Sequence, residues 1–176
     1  MAKGEFVCVS HNDVEYYEVG WLDKIIEFMR DNPHAGLVAL AGRKGVRENG
    51  RYDNGTLITG LVNYNHKGER DFEEVAVIDG LCYVMRNIGL RLDESYGFMH
   101  FYDQDLSMQY AQLGYKSYIY STPCLHLAEG KGHGAPNSTR TLKSYLDLVH
   151  TDGNQIVASG KIFREKWKGY LPYEVC

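Results

Sequence analysis

The sequence lacks any apolar run long enough to cross a membrane. A membrane span needs about 18 or more consecutive apolar residues, and no stretch approaches this length. Residues 1–5, Met-Ala-Lys-Gly-Glu, also lack the apolar segment of a secretory leader. No Pro- or Ser-rich stretch marks a linker between domains. We therefore expect a cytoplasmic protein with no membrane span, folded as a single domain over residues 1–176.

Cysteines are few and widely spaced. The chain has 4 of them, and none belongs to a CxxC pair. This spacing argues against a structural zinc site and against a disulfide framework. We interpret the cysteines as reduced residues of the core: Cys8, Cys82, Cys124 and Cys176.

An excess of positive charge is also absent. The formal net charge is -4 and the isoelectric point is near 6.0. Such a chain has no general electrostatic attraction for nucleic acids or for an anionic membrane surface. We expect no nucleic-acid partner, and a phosphate-bearing ligand would need a local cation or a metal ion.

The pattern that is present alternates strands with amphipathic helices. It predicts an α/β fold with a mixed sheet flanked by helices, in which residues 1–127 form the core and residues 128–176 a glycine-rich loop and two closing helices. We predict strands at residues 5–10, 36–42, 56–64, 72–78, 81–86, 115–121 and 124–127, with a turn at 65–68. Helices are predicted at residues 19–31, 104–113, 138–150 and 154–168.

Two carboxylate-bearing segments are the candidates for a functional site. His11-Asn12-Asp13 follows a buried strand, and side chains two residues apart point to the same side of an extended chain. Strand ends are where open α/β sheets bind their ligands. Asp103 and Asp105 lie at the start of a helix, where the helix dipole favours ionised carboxylates. The pattern suggests a metal-held anionic substrate beside a general base.

Each of these features also has a simpler interpretation. His-x-Asp after a strand is often a turn with a capping hydrogen bond. Asp103 and Asp105 could be first-turn acids that only stabilise a helix. His126, on a short apolar strand, could be a hydrogen-bonded core histidine. Only their combination favours a functional site.

Several short segments follow one another in a distinctive order. They are residues 11–14, 36–42, 77–86, 92–94, 100–107 and 113–116, with the late histidine His126. Their order resembles that of the GT-A glycosyltransferases and is closest to the family-two group in which His-x-Asp replaces the DxD motif. The resemblance covers residues 6–126 and, more weakly, 163–172, and it implies a partial GT-A fold that lacks the N-terminal nucleotide-binding elements.

The resemblance also implies roles for individual residues. Asp13 matches the last acid of the DxD-type motif, His11 replaces the first, and His126 matches a late histidine that completes the metal site in some members. The implied cofactor is Mn²⁺ or Mg²⁺. Asp103 matches the general base of an inverting transfer, with Asp105 as the following acidic residue. The residues expected at the substrates are Asp79, Gly80, Tyr102, Lys131 and Arg140, the last two as part of a lid.

These implications leave three functions open. The first is metal-dependent transfer of a sugar from a nucleotide-sugar donor to a carbohydrate-type acceptor. The second is a non-catalytic module that associates with other proteins, and the third is a metal-dependent hydrolase. Because elements that normally flank the first strand are absent, we also expect an exposed sheet edge or a homodimer that covers it. Convergence of Asp13, Asp103 and His126 on one cleft would favour an enzyme.

Overall fold

The computed structural model describes residues 2–50, 58–59, 71–96, 100–127 and 153–175. Three predicted elements, the turn at 65–68, the loop at 128–136 and the helix at 138–150, lie outside these residues, as does most of the strand at 56–64. In the described part of the chain, no helix is both long and apolar enough to cross a membrane.

A five-stranded mixed sheet forms the centre of the molecule. Its strands are β1 (Phe6–Ser10), β3 (Ala35–Ala39), β7 (Phe72–Val75), β9 (Cys82–Arg86) and β10 (Lys116–Tyr120). Their order across the sheet is β1-β9-β3-β10-β7. The neighbours β3 and β10 run parallel and the other neighbours are antiparallel, so the predicted mixed sheet is confirmed.

Shorter strands extend this framework at its ends. β2 (Val14–Tyr16) pairs with β11 (Cys124–His126), and β5 (Gly45–Val46) pairs with β12 (Tyr173–Glu174). A third small sheet joins β4 (Ala41–Arg43), β6 (Ile58–Thr59) and β8 (Val77–Ile78). The single strand predicted over residues 36–42 is therefore wrong in its length. The chain leaves the central sheet after β3, and β4 pairs with β8 instead.

Helix α1 (Trp21–Asp31) covers one face of the central sheet. Its apolar positions recur at helical spacing, and Ile25 and Met29 are fully buried. They pack against Val38, Leu81 and Val84 of the sheet, while Leu22 remains 36% exposed. Burial of each large apolar side chain of this kind contributes roughly 1.5–3 kcal/mol to folding.

Helix α2 (Tyr102–Gln112) lies on the opposite face. Leu106 and Tyr110 pack against Leu37 and Ile119 of the sheet. The Ser107 hydroxyl accepts a 3.1 Å hydrogen bond from the backbone N–H of Ile78. This bond ties the helix to the end of β8, just before the turn that leads into β9.

Helix α3 (Gly153–Trp167) is anchored to α2 through one buried carboxylate. Asp105 is fully buried, and its Oδ1 accepts hydrogen bonds from Trp167 Nε1 at 2.8 Å and from the Tyr96 hydroxyl at 3.0 Å. Lys166 Nζ lies 2.9 Å from the same oxygen and 3.0 Å from Oδ2, and Gln109 Nε2 donates to Oδ2 at 2.6 Å. A buried charge with this many partners joins three elements.

The first strand is an edge of the central sheet, as predicted. Among the described strands, β1 pairs only with β9. Cys8, on this edge strand, is exposed, so the prediction that this cysteine belongs to the core is wrong. Cys82 and Cys124 are buried as expected.

Asp105→Asn should destabilise the chain far more than Asp93→Asn. Asp93 is a second carboxylate on Lys166, at 2.7 Å, but its side chain is 32% exposed. Loss of the buried charge leaves Lys166 and Trp167 without a full acceptor, which should lower the free energy of unfolding by about 2 kcal/mol or more. The exposed pair should contribute less than about 1 kcal/mol. Urea unfolding of both variants measures the difference, and equal losses would contradict the assigned role of Asp105.

Candidate metal and base site

Three of the predicted ligands lie together at one end of the central sheet. His126 Nε2 is 3.3 Å from Asp13 Oδ1, and His11 Nδ1 is 3.9 Å from the same oxygen. The two ring nitrogens are 3.4 Å apart. One ligand atom from each residue lies within 4.8 Å of the others.

The short pair of strands β2 and β11 creates this cluster. Val14 is opposite His126 in the pair, and the Leu127 N–H donates a 2.7 Å hydrogen bond to the Asp13 carbonyl. His11 is fixed independently, because its N–H donates to the Leu81 carbonyl at 2.9 Å. Backbone hydrogen bonds thus hold Asp13 and His126 next to each other and fix His11 beside Leu81. Strand β1 ends at Ser10, so a turn, and not the predicted strand alternation, brings His11 and Asp13 to one side.

The donor set of this cluster fits a divalent cation. Burial lowers the pKa of His126, and the nearby Asp13 carboxylate opposes this effect. A histidine kept neutral has a ring nitrogen free to bind a metal. Ligand atoms at about 2.1 Å from a common ion and at right or tetrahedral angles are about 3.0–3.5 Å apart. The observed spacings of 3.3, 3.4 and 3.9 Å are close to this range.

Asp103 lies at the start of α2, against the turn between β8 and β9. Its Oδ2 accepts a 2.9 Å hydrogen bond from the Gly80 N–H, and its Oδ1 accepts one of 2.9 Å from the Gln104 N–H. Tyr102 covers the same turn. A Cβ atom at position 80 would overlap the Tyr102 hydroxyl group, so any larger residue would displace the Tyr102 ring. This close contact favours glycine at position 80.

Burial raises the pKa of Asp103 to about 7, and the neighbouring Asp79 carboxylate adds to the shift. The two backbone N–H groups act in the opposite direction. A carboxyl group with a pKa near neutrality can accept a proton and release it again at physiological pH. Asp103 is therefore the candidate for a general base at this turn.

Asp79 connects the two halves of the site. Its charge raises the pKa of Asp103 and also raises the pKa of His126, against the effect of burial. Its Oδ1 accepts a 3.0 Å hydrogen bond from the Leu81 N–H, and the Leu81 carbonyl holds His11. The turn Asp79-Gly80-Leu81 thus touches the histidine cluster on one side and the base on the other.

The backbone leading into α2 is strained. His100 and Phe101 have φ values of 70° and 66°, in the left-handed region that disfavours side chains. Each costs roughly 1 kcal/mol or more. With this backbone conformation at its N-terminus, α2 begins where Asp103 can accept the hydrogen bond from the Gly80 N–H. Such outliers are concentrated in functional sites.

The other predicted site residues are placed elsewhere. The Asp105 carboxylate accepts a hydrogen bond from Trp167 and is not part of the cluster of His11, Asp13 and His126. Lys131 and Arg140 lie outside the described residues. No local pattern predicted the position of Gln104, whose side-chain oxygen is buried and has no hydrogen-bond partner in the described part of the molecule.

A comparison with protein families identifies the family of the chain. The model of the family described as a glycosyltransferase-like family matches residues 6–140, more than half of the 176-residue chain. No curated protein shows significant similarity. The match includes His11, Asp13, Asp103 and His126, and the mixed α/β architecture agrees with the GT-A type of fold expected from the sequence. The chain therefore belongs to the glycosyltransferase-like family.

Proposed function

We propose that the chain transfers a sugar from a nucleotide-sugar donor to an acceptor hydroxyl, with inversion at the anomeric carbon. The observation that carries the proposal is that one turn, Asp79-Gly80-Leu81, links a three-ligand cluster to a buried carboxylate. A nucleotide-sugar transfer needs both parts. One must neutralise the diphosphate leaving group, and the other must take the proton of the acceptor.

His11, Asp13 and His126 would hold the metal ion. The ion, when bound, supplies positive charge for the diphosphate of the donor. Two imidazoles beside one carboxylate are an unusual set for Mg²⁺, which prefers oxygen ligands, so Mn²⁺ is the better candidate of the two predicted cations. Asp13 is the only anionic ligand of the three, so it would offset one of the two positive charges of the ion. The remaining positive charge would attract an anionic substrate.

Asp103 would act as the base. Its carboxylate takes the proton of the acceptor hydroxyl as the oxygen attacks the anomeric carbon. The bond from that carbon to the diphosphate oxygen breaks, and the electron pair leaves with the nucleotide. We place the donor sugar beside the base, at the turn that begins with Asp79 and is covered by Tyr102. Asp105, held by Trp167 and Lys166, would serve the reaction by fixing the helix that carries Asp103.

An alternative role is association with other proteins through the edge of the sheet. Hydrogen bonds from His11 to Leu81 and from Asn87 to Glu5 show that odd-numbered residues of β1 face β9. The backbone groups of Phe6, Cys8 and Ser10 therefore point away from the sheet. A homodimer through this edge is the predicted form of the association, and sedimentation equilibrium would detect it.

Asp13→Asn should weaken Mn²⁺ binding by at least about tenfold. Loss of an outer partner of a metal ligand already costs about 10- to 100-fold in affinity, so loss of a ligand should cost no less. Titration of Mn²⁺, followed by the paramagnetic resonance signal of the free ion, measures the affinity. Asp23→Asn is the matched control, because Asp23 is an exposed acid in the first turn of α1. Unchanged affinity in Asp13→Asn would refute the ligand assignment.

Asp103→Asn should lower the transfer rate by about 10²- to 10⁴-fold, since the amide cannot accept the proton. The wild-type rate should rise with pH and level off above about 7, the pKa of Asp103. Release of nucleoside diphosphate from a panel of nucleotide sugars in the presence of Mn²⁺ reports the rate. Asp93→Asn should retain full activity. A pH profile that stays flat between pH 5 and 8 would exclude Asp103 as the base.

Asp103→Asn should gain stability relative to wild type as the pH rises. The pKa of Asp103 is raised from its ordinary 3.8 to about 7 in the folded chain, so the folded state binds this proton more tightly than the unfolded state. The resulting stabilisation is complete below about pH 4 and is lost by about pH 7. Asp103→Asn has no such loss. Urea unfolding at pH 5 and pH 8 tests this, and a variant that is equally weakened at both values would indicate a structural role.

A further inference from the structure

Two cysteines that are 74 positions apart in the sequence come together on the first two strands of the central sheet. Cys8 of β1 is opposite Val84, and Cys82 of β9 is opposite Ser10. Because alternate residues of paired strands share a face, Cys8, Cys82, Ser10 and Val84 lie on the same side of the sheet. The two cysteines are diagonal neighbours on that face.

The two thiols form one hydrogen-bonded pair. Cys8 forms a side-chain hydrogen bond with Cys82, whose sulfur is also reached by the hydroxyls of Tyr16 and Ser10. These two hydroxyl oxygens are 2.5 Å apart. The hydrogen bond from Cys8, followed by those from the hydroxyls, lowers the pKa of Cys82, although burial opposes the change. The same contact, together with burial, raises the pKa of Cys8, so the pair holds its thiolate on Cys82.

The two thiols differ in their access to solvent. Cys8 is exposed and Cys82 is buried. Cys124 is also buried in the same apolar cluster, but burial raises its pKa to about 12 and no side-chain hydrogen bond contributes to that shift. Cys8 can therefore meet a reagent from solution, Cys82 can react only with what Cys8 has bound, and Cys124 is inert.

We propose that Cys8 and Cys82 form a redox-active dithiol, which a small disulfide such as oxidised glutathione converts to an intramolecular disulfide. The Cys8 thiol first passes its proton to the Cys82 sulfur, and the resulting Cys8 thiolate attacks one sulfur of the reagent. A mixed disulfide forms, and the first glutathione leaves with the proton that Cys82 had taken up. The Cys82 thiolate then attacks the Cys8 sulfur, and the second glutathione leaves as its thiolate. The protein loses two electrons, and the reagent gains them.

The second step requires a small movement of the edge strand. Diagonal residues of an antiparallel pair usually have Cα atoms about 7–8 Å apart, and a disulfide needs about 4.4–6.8 Å. The cysteines must therefore approach each other by about 1–2 Å. Strand β1 is bonded to one neighbour only among the described strands, so it can shift without breaking a second ladder. The dithiol does not depend on the proposed transferase activity.

Mass spectrometry of the full chain tests this proposal. The reduced protein is incubated with oxidised glutathione, free thiols are blocked with N-ethylmaleimide, and the protein is digested without reduction. We expect a peptide pair linked through Cys8 and Cys82, with two of the 4 cysteines still blocked as thiols. Cys82→Ala should instead accumulate a glutathione adduct on Cys8, because the resolving thiol is missing.

Cys124→Ala is the matched control, since it removes a buried thiol of the same cluster. It should form the Cys8–Cys82 link as fast as wild type. A stable glutathione adduct on Cys8 in the wild-type chain would overturn the proposal, because it would show that Cys82 cannot reach it. A link to Cys124 or Cys176, or no reaction at Cys8, would also overturn it.

Discussion

The first turn of α2 is the constraint on which the rest of the structure depends. It carries two carboxylates, two positions apart, in opposite surroundings. Asp105 is buried among cationic and N–H or O–H donors from Lys166, Trp167 and Tyr96, which offset the cost of removing its charge from water. Asp103 is buried beside another carboxylate and has only backbone N–H partners. One acid fixes the helix, and the other remains chemically responsive because the helix is fixed.

The turn between β8 and β9 gives this responsive group its setting. Three consecutive residues contact different parts of the site: the Asp79 carboxylate acts on both Asp103 and His126, the Gly80 N–H binds Asp103, and the Leu81 carbonyl holds His11. A substitution anywhere in the turn would disturb both halves. The proposed sugar transfer requires leaving-group stabilisation and proton removal on the same substrates, and a shared turn would hold the two groups at a constant distance.

The sequence allowed the mixed sheet, α1, α2 and the candidate ligands to be predicted, because strong apolar periodicity and local motifs specify them. It did not reveal the pairing that assembles the cluster. β2 and β11 have three residues each, too few for a periodic pattern, and yet they place His126 beside Asp13. The buried partners of Asp105 come from residues 61 and 62 positions further along the chain, and no local signal connects them. Cys8 and Cys82 are brought together by strand register, which is equally non-local.

Lys166 and Trp167 lie beyond residue 140, where the family match ends. The segment that the family model matches is therefore shorter than the segment whose residues stabilise one another in the fold. A fragment that ends at residue 140 would leave the buried Asp105 carboxylate with neither Lys166 nor the indole N–H of Trp167. Surveys that define this family only by the matched segment would then miss a partner on which the matched segment relies. Covariation between position 105 and the closing helix is where such dependence should be visible among relatives.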